Sequence, residues 1–97
     1  MTEQKINRKL AVAIGWKPKQ IKTFGIAVLL HYNDYYWSRF DFVDWRVIGP
    51  IAQRYDCFPK GKDQYGQWFA GKYPYGIADT PQKAIALAVI AAHEAGC

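Results

Sequence analysis

The stretch Asp79-Thr80-Pro81-Gln82-Lys83-Ala84-Ile85-Ala86-Leu87-Ala88-Val89-Ile90-Ala91-Ala92 decides the fold class. Thr80 is placed to cap a helix with its hydroxyl, and Pro81 falls at the first helical position, where its missing N–H costs little. The apolar pattern then predicts a helix over 81–95, closed by Gly96. One face holds Ala84, Ile85, Ala88, Val89 and Ala92. Side chains that small suit a helix lying close on a sheet, so the rest of the chain must supply strands.

Reading outward from that helix finds them. Residues 75–78 and 67–70 are short strand candidates, and Cys57-Phe58 opens another before the turn-rich residues 59–63. Gly66, Gly71 and Gly76 recur at five-residue spacing and mark turns or bulges between these strands. Residues 44–55 read as a helix with Trp45, Ile48, Ile51, Ala52 and Tyr55 on one face. Gly49-Pro50 either kinks it or restarts it. Residues 23–31 run almost continuously apolar, as in one strand covered on both faces. Asn33-Asp34 signals a turn, and residues 35–42 fit either a hairpin strand or an aromatic loop. At the front, Ile6, Leu10, Ala13 and Ile14 form the stripe of an amphipathic helix over 2–14, capped by Thr2 and stopped by Gly15. The order is α-β-α-β-β-α. It predicts a single α+β domain over residues 1–97, a small sandwich whose short antiparallel sheet is covered by helices.

Composition narrows the function classes. A 97-residue chain that is 51% apolar and 16% aromatic has enough apolar surface to fold rather than remain disordered. It lacks an eighteen-residue apolar run, so no membrane-spanning helix is expected. The polar N-terminus has no apolar signal region, which points to the cytoplasm. Cys57 and Cys97 are too few for a disulfide scaffold, and with the isolated His31 and His93 they make no recognisable zinc spacing. Nothing local orients either histidine toward Cys57 as a nucleophile–base pair would require. Gly61-Lys62 lacks the strand and helix that flank a phosphate-binding loop. Asp41 and Asp44, three apart, suit a helix start: one as a cap, the other near the positive end of the dipole. No catalytic residue, metal, cofactor or small-molecule substrate is therefore expected.

Two surface segments remain as binding candidates. Lys5, Arg8, Lys9, Lys17, Lys19 and Lys22 stand against Glu3 alone, so residues 1–22 carry all of the +5 net charge. Lys17, Lys19 and Lys22, with Trp16 beside them, could neutralise nucleic-acid phosphates while the indole stacks on a base. The second segment lies between residues 32 and 58, which hold nine of the sixteen aromatic residues and four of the eight acids. A small domain cannot bury that many rings. Tyr35, Tyr36 and Trp37 stand in a row, so strand alternation turns at least one outward. Tyr, Trp and Arg are the types enriched at interface hot spots, which makes Tyr32, Asp34, Tyr35, Tyr36, Trp37 and Arg39 the expected partner-binding residues. Aspartates among them could meet Lys or Arg on a protein that handles nucleic acid.

The pattern resembles the phage ABA-sandwich proteins and the NinX-like proteins of bacteriophages and prophages. Three places carry the likeness: Ile6-Asn7 in a helix ending at Gly15-Trp16; Asp41-Phe42-Val43-Asp44-Trp45 leading into Val47-Ile48; and Asp79-Thr80-Pro81 followed by Ala84-Ile85. Gly49-Pro50 and the aromatic 32–37 stretch depart from the family pattern. The resemblance implies a small α+β fold, an accessory role in the host bacterial cytoplasm, and no enzymatic activity. Phage accessory proteins commonly bind and disable host machinery, restriction and CRISPR–Cas effector complexes included. That context makes a host protein complex the expected partner, with direct nucleic-acid binding as the alternative.

Overall fold

A computed structural model describes residues 2–33, 36–72 and 75–96. The chain is α+β and divides into two compact units, Met1–Asp41 and Phe42–Cys97. The first contains helix α1 (Glu3–Ala13), a short 3-10 turn (Pro18–Gln20), and strands β1 (Ile21–Phe24), β2 (Ala27–Asn33) and β3 (Tyr36–Phe40). The second contains α2 (Trp45–Tyr55), β4 (Pro59–Lys62), β5 (Trp68–Ala70), β6 (Gly76–Ala78) and α3 (Pro81–Glu94). The strands form two antiparallel sheets, β1-β2-β3 and β4-β5-β6, rather than the single sheet expected.

In the first unit the Thr2 hydroxyl accepts from the Lys5 N–H, as a cap should, and Gly15 adopts φ 112° beyond the helix end. The buried stripe is Ile6, Asn7, Leu10 and Ala11, with Ala13 and Ile14 only half-buried. The helix is therefore rolled by one residue from the purely apolar stripe, toward Asn7. That residue donates from Nδ2 to the Ile26 carbonyl at 2.9 Å and to Asp41 Oδ1 at 3.2 Å. Hydrogen bonding, which apolar periodicity does not register, sets the rotation.

The apolar run 23–31 is not one strand. It folds back at Gly25-Ile26, and Phe24 pairs with Ala27. Gly25 has φ 63° at the first position of this two-residue turn, a conformation glycine adopts without strain. Gln4 Nε2 and Asn7 Nδ2 hold the Gly25 and Ile26 carbonyls, while Phe24 and Ile26 face solvent. Residues 36–40 settle the open alternative as a hairpin strand, and Asp34 lies outside the described residues. α1 packs on β1 and β2. The paired rows Ile21–Leu30–Ser38 and Thr23–Val28–Phe40 supply the buried side, with Ile21, Val28, Leu30 and Phe40 all below 9% exposure.

In the second unit Asp44 caps α2 by accepting from the Arg46 N–H. The helix runs unbroken through Pro50, burying Ile48, Ile51 and Ala52. Trp45, expected on the inner face, is 50% exposed. As the first helical residue it has no preceding turn to pack against. Thr80 caps α3 through the Lys83 N–H, and α3 lies on all three strands and on α2. The expected face of α3 is buried apart from Ala92, which is half-buried, and burial widens to Ala86 and Ile90. Gly66 and Gly71 have positive φ, as turn residues do. Gly76 is different: a Cβ there would strike the Ala84 carbonyl and the Ala88 N–H. No helix among the described residues is long and apolar enough to cross a membrane.

Candidate binding surface

The pairing register of the first sheet sorts the expected contact residues. Lys22, Leu29 and Arg39 form one row across the three strands, and His31 and Trp37 form the next outward-facing row. These rows alternate with the buried ones, so their side chains point to the face opposite the core. His31 and Trp37 stack with centroids 4.5 Å apart and planes inclined by 15°. Lys22 Nζ lies 5.9 Å from the Trp37 ring centroid, within cation–π reach. Arg39 NH2 donates to Asp41 Oδ2 at 3.2 Å, with half its side chain in solvent. Trp37, at 39% exposure, thus presents an indole backed by an imidazole and flanked by a cation.

Tyr32 and Tyr36 belong to a second cluster. The β2–β3 register shifts between His31 and Asn33, so Tyr32 is the extra residue of a bulge. Its ring stands 5.6 Å from Tyr36 and meets Trp16 edge-on at 4.8 Å, while both tyrosines are 54% exposed. Tyr36 and Trp37, adjacent in a strand, face opposite ways. The candidate segment is therefore divided into a Trp37 face with Arg39 and a Tyr32–Tyr36–Trp16 edge. Asp34 and Tyr35 lie outside the described residues. Lys17, which precedes the 3-10 turn, and Lys19 within it are exposed, whereas Lys22 is drawn onto the Trp37 face.

Asp34, the acid among the expected contact residues, lies outside the described residues, and Asp41 and Asp44 are engaged within the protein. Asp41 is 1% exposed and accepts from both Asn7 and Arg39. Asp44 is committed to its cap and to Arg46, whose guanidinium donates at 3.2 and 3.0 Å. That hydrogen bond, with the carboxylate's charge, raises the Arg46 pKa above its ordinary value. Among the described residues the exposed face of the first sheet is aromatic and cationic.

Cys57 is buried and donates from Sγ to the Tyr55 carbonyl at 3.3 Å. Burial, helped by the Asp56 charge, pushes its thiol pKa up and keeps it protonated and unreactive. Among the described residues no three His, Cys, Asp or Glu side chains gather as metal ligands would. His31 and Asn7 were the residues that spacing alone missed. Gly25 inside the apolar run was the overlooked sign of the hairpin that brings Lys22 beside Trp37. The chain matches no protein-family model, no curated protein and no solved structure.

Proposed function

We propose that this chain is a non-enzymatic binding protein of phage or prophage type that acts by occupying a functional surface of a host complex, a CRISPR–Cas effector being one such target. The observation that carries the reading is Trp37, exposed on a three-stranded sheet, stacked on His31 and flanked by Lys22 and Arg39. A rigid ring with cations at its border is the kind of anchor that dominates interfaces. The phage context rests on the three motif resemblances. With Asp41 and Asp44 engaged internally, the contact relies on the exposed rings and Lys22, and the complementary partner surface is acidic and apolar.

Capture from a bacterial lysate with the intact chain as bait, followed by identification of the retained protein, tests this. Trp37→Ala should weaken capture at least about thirtyfold, as loss of a hot-spot side chain does. Unchanged capture by a folded Trp37→Ala variant would remove this face from the interface.

One observation favours a second reading, direct nucleic-acid binding: Lys22 joins Trp37, so a base-stacking ring and a phosphate-neutralising cation share one face. On that reading affinity for bare nucleic acid falls steeply with salt, and replacing Lys17, Lys19 and Lys22 together by Glu abolishes it. Absence of binding at low salt disposes of it.

A further inference from the structure

The second sheet carries another aromatic surface, distinct from the first in residues and in construction. Since Gly76 abuts α3, its in-strand neighbour Ala78 and its cross-strand partner Ala70 also face that helix. Phe69, Tyr75 and Ile77 then face away from it. Phe69, half-buried, pairs with Ile77 across β5–β6 and with Gly61 on β4. Tyr75 meets Phe69 edge-on at 5.5 Å. Tyr75 is 43% and Ile77 48% exposed. Lys60, the extra residue where the β4–β5 register shifts, brings Nζ within 5.8 Å of the Tyr75 centroid. Lys62 belongs to the other side of the sheet, in the row of Trp68 and Ala78, and lies 5.3 Å from the Trp68 ring.

Charge selects the occupant. Residues 58–78 contain Lys60, Lys62 and Lys72 against a single acid, Asp63. Asp63 turns its Oδ1 to the backbone N–H groups of Tyr65 and Gln67, each at 2.9 Å, and so shapes the β4–β5 turn. We infer that the Phe69–Tyr75 face binds single-stranded nucleic acid, with bases stacking on the rings and Lys60 meeting a backbone phosphate. A sheet face with neighbouring aromatic residues and a cation at its border is a recurrent way to hold unpaired bases. Stacking needs no particular base, so affinity without strong sequence preference is expected.

Fluorescence anisotropy of the intact chain with labelled oligo-dT and oligo-U, at low and moderate salt, tests the inference. Binding should appear at low salt and weaken as salt rises. Tyr75→Ala and Phe69→Leu should each lower affinity roughly 5- to 150-fold, the range a lost base–ring stack carries. Lys60→Glu should reduce the salt slope by about one contact, and Ile77→Ala should change little. Phe69→Leu keeps an apolar side chain in β5, and Lys60→Glu and Tyr75→Ala alter exposed positions, so a folded test protein is retained. No binding at low salt overturns the inference. So does binding that survives Tyr75→Ala with Lys60→Glu but is lost with Trp37→Ala and Lys22→Glu, which would place the strand on the first sheet. A positive result here with unchanged protein capture by Trp37→Ala would reject the proposed host-protein interface while leaving this site standing.

Discussion

The buried side of β1–β3 is filled by Ile21, Val28, Leu30 and Phe40, whereas β5 and β6 turn Ala70, Gly76 and Ala78 to α3, with Trp68 in the row of Ala78 as the one large side chain on that side. The first sheet keeps its helix at the distance of branched side chains and adds a polar tie, Asn7 to Ile26 and Asp41. The second lets the α3 backbone rest almost on the strand. Side-chain packing has slack, because neighbours can change rotamer. Backbone contact has none, because neither partner can move without breaking its own hydrogen bonds.

The contrast is broken most directly at Gly76. Gly76→Ala puts a methyl into the Ala84 carbonyl and should cost at least about 3 kcal/mol, the upper end of the overpacking range. Urea unfolding of the intact chain measures it, and a loss below about 1 kcal/mol would show that α3 has room to shift. Next comes Asn7→Ala, which deletes a buried amide that donates to both the hairpin tip and Asp41. A loss of about 1–3 kcal/mol is expected, as for other buried hydrogen-bonding groups. A neutral outcome would mean that the apolar stripe alone seats α1. Leu30→Met sharpens the same comparison from the tolerant side: a near-isosteric swap in the first sheet should cost less than about 1.5 kcal/mol. If it proves as costly as Gly76→Ala, the two sheets are not differently constrained.

The smallest effect concerns Cys57, packed where a Cβ on Gly71 would lie 3.6 Å from its sulfur. Its native pKa is raised, so the native state holds the thiol proton more tightly than the unfolded chain does. This contribution to stability is present below the unfolded thiol's pKa of about 8.5 and is lost as pH rises through the raised native value. In a Cys97→Ser background, thiol alkylation near pH 8 should be markedly slower in native than in urea-unfolded protein. Equal rates would mean that the site opens freely.

Helices were legible in the sequence because their signals are local: Thr2, Asp44 and Thr80 cap where their residue types predict, and Gly15 and Gly96 follow the ends they mark. Strands were less legible. Residues 23–31 look like one buried strand because Phe24 and Ile26 are apolar, and only Gly25 betrays that both sit exposed on a turn. Tyr32, Tyr36 and Trp37 lie at the surface as expected, yet their division between two faces depends on the Tyr32 bulge, which composition does not encode. Trp45 went astray because it was assigned by spacing within one element, while the first helical residue has no preceding turn to pack against. The tie of Asp41 to Asn7 joins residues too distant in sequence for spacing to show.

The Tyr32 bulge has an evolutionary corollary. Strand pairing normally forbids changes in length, because adding or losing one residue turns a whole strand inside out. Here the extra residue is absorbed between His31 and Asn33, at the end of β2 farthest from the Gly25-Ile26 turn. The rows Ile21–Leu30–Ser38 and Thr23–Val28–Phe40 keep their partners whatever happens beyond it. Insertions and deletions can therefore accumulate in the Tyr32–Tyr36 region while the core half of the sheet stays in register. A lineage pressed to alter what this edge touches could do so by indel as well as by substitution.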